Sequence, residues 1–211
     1  MKHLKLIMAI ILGVTSGMVF AAPPKAADLF ADAPTSVYPL LDRTTRLDMI
    51  DYAVNNLTTP SANALDGHSA ITELTSESLK LRLTDSSTSQ LVVLPTKGDN
   101  AVVAVISTVA TPGLDSSISF YTTEWSQLPT SGLFAKPVWK DWLTPDGDLA
   151  TVMSLTPFML SSYVYDPATK TLTLTNNLSG FLDEDVYETI SSSLLPTITY
   201  VWDGKKFSKS K

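Results

Sequence analysis

Residues 79–121 read LKLRLT-DSSTS-QLVVLPT-KGDN-AVVAVISTV-ATPGLDS-SISFY, apolar runs of strand length separated by turn residues. That alternation is the signature of an antiparallel meander. In the first run Leu79, Leu81 and Leu83 point one way and Lys80, Arg82 and Thr84 the other, which suits a strand with one wet face. The run 101–109 is apolar on both faces, with Val103 and Val105 on one and Val102, Ala104 and Ile106 on the other. It reads as a central strand covered on both sides. In the last run Ile118 and Phe120 face inward.

Working outward, the best helix is 44–57. Leu47, Ile50, Val54 and Leu57 recur at spacings of three and four and predict the face that lies on the sheet. Thr44 or Thr45 would cap it, with Asp48 in its first turn. A shorter helix is expected over 26–33, ended by Pro34, with one more helical turn in 36–41. A first strand is expected over 69–74. Beyond the meander, 122–148 is irregular and carries Trp125, Trp139 and Trp142 among prolines. Strands are predicted at 150–155, 160–165, 171–175 and 197–202, and a helix at 182–194, with Asp183 as cap and Val186, Ile190 and Leu194 inward. Asp203-Gly204 turns the chain into a return strand at 206–208. The fold class is therefore α+β: an antiparallel meander packed against N-terminal helices, with a smaller C-terminal hairpin and helix part. Tyr163-Val164-Tyr165-Asp166 and Tyr200-Val201-Trp202-Asp203 echo one another. The pair reads as ordinary strand aromatics before a turn or as a duplicated aromatic platform.

The N-terminus has the pattern of a secretory signal peptide over 1–21. Lys2 and Lys5 precede an apolar run from Leu6 to Phe20, and Val19-Phe20-Ala21 places cleavage after Ala21. The run is short for a membrane span of ~20 residues, so no stable span is expected after cleavage. With no Cys in the chain, neither a lipoprotein anchor nor a disulfide is possible. The short basic start points to a bacterial periplasmic or secreted protein. Residues 22–211 form a single α+β domain, or two lobes at 22–130 and 131–211. Losing Lys2 and Lys5 takes the formal charge from −6 to −8, which disfavours nucleic acid as a partner.

Chemistry-bearing motifs are sparse. Beyond the leader there is one histidine, His68, beside a turn, so the multi-histidine zinc sites and a supported Ser-His-Asp triad are missing. The glycines are spread singly, without a phosphate loop. No catalytic residue, cofactor or metal site is assigned. Asp183, Glu184, Asp185 and Glu188 could bind calcium, but the calcium-loop spacing is missing, and an acidic helix start explains them. Trp139 and Trp142, with Trp125, are the candidate ligand-binding residues, because flat rings in a loop can stack on sugars. The alternative is that they plug the core beneath the loop.

Four stretches together resemble a family of uncharacterised secreted proteins of Bacteroidales that carries a domain-of-unknown-function label. They are Arg46-Leu47-Asp48-Met49-Ile50-Asp51-Tyr52, Leu83-Thr84-Asp85-Ser86-Ser87-Thr88, Phe120-Tyr121-Thr122-Thr123-Glu124-Trp125, and Tyr200-Val201-Trp202-Asp203-Gly204 followed by Phe207. The resemblance implies compartment and fold, and no catalytic residues. Three functions are consistent with these readings. The first is a non-enzymatic cell-envelope protein that binds an unknown protein partner or a glycan. The second is a carrier of an apolar ligand or lipid in a cavity closed by the 44–57 helix. The third is a hydrolase using paired carboxylates.

Overall fold

The computed structural model describes residues 24–57, 59–97, 100–110 and 112–210. The segment 1–21, read as a signal peptide, lies outside them. Seven antiparallel strands follow one another both in sequence and across the sheet: β1 (Ser61–Ala62), β2 (His68–Leu74), β3 (Ser78–Thr84), β4 (Ser87–Pro95), β5 (Ala101–Ala110), β6 (Leu114–Tyr121) and β7 (Gln127–Leu128). A second antiparallel sheet holds β8 (Ser161–Asp166), β9 (Thr171–Asn176), β10 (Thr197–Trp202) and β11 (Phe207–Lys209), in the order β11-β10-β9-β8. The helices are α1 (Ala26–Asp32), α2 (Arg43–Val54), α3 (Trp139–Trp142), α4 (Leu149–Leu155) and α5 (Glu184–Ser191). The α+β class and the meander agree with the alternation in the sequence. Among the described residues no helix is long and apolar enough to cross a membrane.

The large sheet has a core on each face. Leu79, Leu81, Leu91, Val93, Val103 and Val105 pack under Leu29, Phe30, Tyr38, Leu41 and Met49. Val92, Leu94, Ala104, Ile106, Ile118 and Phe120 pack against Tyr163, Tyr165, Leu172, Leu174, Tyr200, Trp202 and Phe207 of the second sheet. The chain thus forms three layers, and the central parts of β4 and β5, 91–94 and 103–106, are covered on both sides.

The orientation of α2 corrects the sequence reading. The helix begins one residue early, capped by Asp42, whose carboxylate accepts from the Thr45 amide at 2.7 Å. Its buried residues are Arg46 and Met49; of the expected face only Ile50 packs partly against the core, whereas Leu47, Val54 and Leu57 are 41%, 64% and 52% exposed. The cause is electrostatic. Arg46 donates to the carbonyls of Leu41 (2.7 Å), Ala31 (3.2 Å) and Ala33 (2.6 Å). Ala31 lies in the last turn of α1 and Ala33 caps it, and carbonyls at a helix end lack helical partners and attract a cation. Turning the leucine face inward would pull the guanidinium away and strand three carbonyls, so Arg46 sets the rotation.

The second half contains another correction. Residues 150–155, read as a strand, form α4, because Asp148 caps it through the Ala150 amide (2.9 Å) and the Thr151 hydroxyl (2.6 Å). The helix predicted at 182–194 is shorter, 184–191, with Ile190 buried as expected. Tyr163, Tyr165, Tyr200 and Trp202 all face the large sheet and are buried, so the echoed aromatics are core rather than platform. Polar side chains join the two sheets. Among the described residues edge strand β8 has no neighbouring strand on its outer side; instead Gln90 donates to the Tyr165 carbonyl (2.7 Å) and accepts from its amide (3.0 Å). Ser116 accepts from the Tyr163 amide at 3.0 Å and Asp115 from the Ser161 amide at 3.3 Å. At the far side the Trp202 indole donates to the Pro95 carbonyl at 2.6 Å.

Arg46→Met is expected to cost about 3 kcal/mol in urea denaturation, since it leaves buried carbonyls without donors. Leu47→Ser should cost less than ~0.5 kcal/mol; the reverse order would mean that the leucine face is the buried one. Gln90→Ala is expected to cost about 2 kcal/mol and to speed hydrogen exchange at the Tyr165 amide, while leaving exchange in β5 unchanged.

Candidate functional site

The second sheet has four strands and the first has seven, so the cover ends partway across. β8 forms the boundary. Beside it an open groove of about 460 Å³ runs over the uncovered face of β2 to β5, within the ~300–1,000 Å³ usual for ligand sites. Strand register builds the floor. One cross-strand row runs Arg82, Thr88, Thr108, Ser116, and the next runs Lys80, Gln90, Ile106, Ile118. The first row is open until Ser116, which bonds Thr108 at 2.7 Å and the β8 backbone. The second passes under β8 at Gln90. Ser162 and Val164 of β8 and Leu114 of β6 complete the wall, with Val164 51% and Leu114 43% exposed.

The groove is thus mainly aliphatic and hydroxylic, with two cations at its open side. Lys80 pairs with Glu73 at 2.7 Å and Arg82 with Asp85 at 3.6 Å. All four side chains are substantially exposed, and such pairs contribute about 0–1 kcal/mol, so an incoming anion can replace either partner at little cost. The wet face expected for Lys80 and Arg82 is this floor. The lining contains no carboxylate, imidazole or thiol.

The tryptophans lie elsewhere. Trp142, at the end of α3, is 1% exposed in the core cluster and presents no free ring face. Trp139 packs partly buried against the same core. The α3 turn holds both: the Val138 amide donates to Asp141 at 2.9 Å, and Lys209 donates to Asp141 at 2.8 Å. The lysine bond holds the Asp141 carboxyl below the usual carboxylate range. Trp125 lies across the large sheet, packed on Tyr121 at 5.3 Å between ring centres. The three rings therefore share no surface, and none lines the groove. His68 is exposed at the start of β2, where its carbonyl faces Arg82 at 3.5 Å. Among the described residues no group of three or more His, Asp or Glu is placed to hold a metal. The acidic run 183–188 forms the start of α5. Between α1, α2 and the sheet, Phe30, Tyr38, Met49, Leu79 and Leu81 pack into one buried cluster.

The sequence carried one signal of the groove. Thr88 and Gln90 in β4 and Thr108 in β5 interrupt strands that are otherwise apolar on the face toward the second sheet, marking where its cover stops. Only the packing of β8 shows that the interruption is a site.

No curated protein matches this chain significantly. A solved structure, that of a domain of an uncharacterized protein from Porphyromonas gingivalis W83, has the same fold, with a TM-score of 0.76. It is 23% identical, over 90% of this chain and 99% of that one, a likeness of fold alone. Residues 20–207 match a family described as a protein of unknown function, DUF3256. The three-layer arrangement and its groove thus sit within a segment almost wholly spanned by that match, and the chain belongs to the DUF3256 family.

Proposed function

We propose that this is a non-enzymatic binding protein of the bacterial cell envelope, exported by its 1–21 segment, whose groove receives an extended, acidic segment of a partner protein. The observation that carries this reading is the open aliphatic and hydroxylic groove beside β8 with Lys80 and Arg82 along its floor. Those two residues stand two apart on one strand face, about 6.6 Å along the strand. Alternate side chains of an extended segment have the same interval, so two acidic residues at i and i+2 can meet both cations while the apolar residue between them points away, toward the β8 wall at Val164. Charge-assisted contacts of this kind are the stronger hydrogen bonds. A glycan is less well served, because sugar stacking needs an accessible ring and the one aromatic in the lining, Tyr163, is 3% exposed. The compartment reading rests on the leader pattern and on the absence of Cys from the chain.

The test is an NMR titration of residues 22–211 with a ten-residue peptide of alternating Val and Glu, beside its Val–Lys counterpart. The Glu peptide is expected to shift the amides of Thr88, Thr108 and Val164 saturably, and Lys80→Glu with Arg82→Glu should weaken it at least tenfold. Equal response to both peptides, or shifts confined to other strands, would reject the groove.

A further inference from the structure

A second surface shares none of the groove's lining residues, and its case does not depend on the groove. Phe158 and Phe181 form an edge-to-face pair with ring centres 5.1 Å apart and remain 43% and 41% exposed. Leu155 at the end of α4 is 39% exposed. The backbones beneath the rings are tightly held. Thr156, itself 1% exposed, donates its hydroxyl to the Phe158 carbonyl at 2.8 Å. Gly113 lies so close to the turn before Phe181 that a Cβ there would meet the Asn177 carbonyl at 2.9 Å and the Phe181 Cβ at 3.4 Å. Asn177 clasps the same strand by donating to the Leu114 carbonyl at 2.9 Å. Leu178 is buried and Leu182 packs against the core, so the turn anchors itself by its leucines and leaves the phenyl ring outside. Rigidly presented aromatics are the usual anchors of protein interfaces.

Charge selects the partner. Residues 141–169 and 171–204 contain no Lys, Arg or His. The same stretches supply Asp183, Glu184, Asp185 and Glu188, all exposed, directly after Phe181. An apolar centre with a rim of one sign favours a partner of the opposite sign. A second copy would set carboxylates against carboxylates, and an anionic membrane would be repelled. We propose that Phe158, Phe181 and Leu155, rimmed by Asp183, Glu184 and Asp185, form a docking surface for a basic amphipathic segment of another protein. Two or three apolar side chains of that segment cover the rings, and its lysines or arginines meet the acidic rim.

Fluorescence anisotropy tests this with a labelled 14-residue Leu/Lys amphipathic peptide and the same peptide with Glu for Lys, against residues 22–211. Saturable binding of the Lys peptide is expected. It should be weakened at least tenfold by Phe158→Ser with Phe181→Ser, and at least tenfold by Glu184→Lys with Asp185→Lys. If the double serine variant does not fold, judged by its circular dichroism, Phe181→Ser alone should weaken binding about threefold. Binding that ignores the phenylalanines would overturn the proposal, as would equal binding of the Glu peptide. Dimerisation in sedimentation that the serine variant abolishes would assign the surface to a second copy. Binding to phosphatidylcholine vesicles lost in the same variant would assign it to a membrane. Either result would refute the protein-segment reading.

Discussion

A meander whose central strands are apolar on both faces has to be covered twice. β4 and β5 carry Leu91, Val93, Val103 and Val105 on one face and Val92, Leu94, Ala104 and Ile106 on the other, all buried. Leaving either set wet would cost roughly 1.5–3 kcal/mol for each large side chain. The chain meets the demand from both ends: the N-terminal helices close one face and the C-terminal sheet the other. The three layers follow from that requirement, and so does the use of both flanks of the chain on one central sheet.

Hydrophobic burial is non-directional, so it does not by itself set how the layers are turned. Polar groups do. Arg46 joins α2 to the end of α1 through three carbonyls. Gln90 replaces a missing strand along β8, and Trp202 pins the far side of the second sheet to β4. Each interaction is directional and buried or part-buried, so a misrotated layer would leave its groups unpaired. The β8 edge is closed in the same way, which removes a site for unwanted strand addition.

The two candidate surfaces arise from mismatches in this covering. Four strands over seven leave the floor beside β8 open, and it is there that Thr88, Thr108, Lys80 and Arg82 replace aliphatic residues. At the other extreme the turn between β9 and α5 packs closely on Gly113 and buries Leu178, while Phe181 stays 41% exposed. One surface is cationic at its open side and the other is rimmed with carboxylates, so they suit partners of opposite charge.

Local pattern determined much of this protein. Period-two alternation in 79–121 is a property of the strand itself, so the meander, its double-faced centre and the wet side of Lys80 and Arg82 were legible. The C-terminal strands were legible for the same reason. Rotation and cover are tertiary matters. The apolar face of α2 pointed to Leu47, Ile50, Val54 and Leu57, yet only Ile50 packs partly against the core, because the helix is turned to keep the buried Arg46 on its three carbonyls. Residues 150–155 looked like a strand until capping by Asp148 made them a helix. Tryptophan spacing could not say that Trp142 is interior while Trp125 sits across the sheet. The groove left one trace, the polar interruption at Thr88, Gln90 and Thr108, but its walls were not legible: it exists only because one sheet is wider than the layer laid on it, and that overlap is set by packing between residues far apart in the chain.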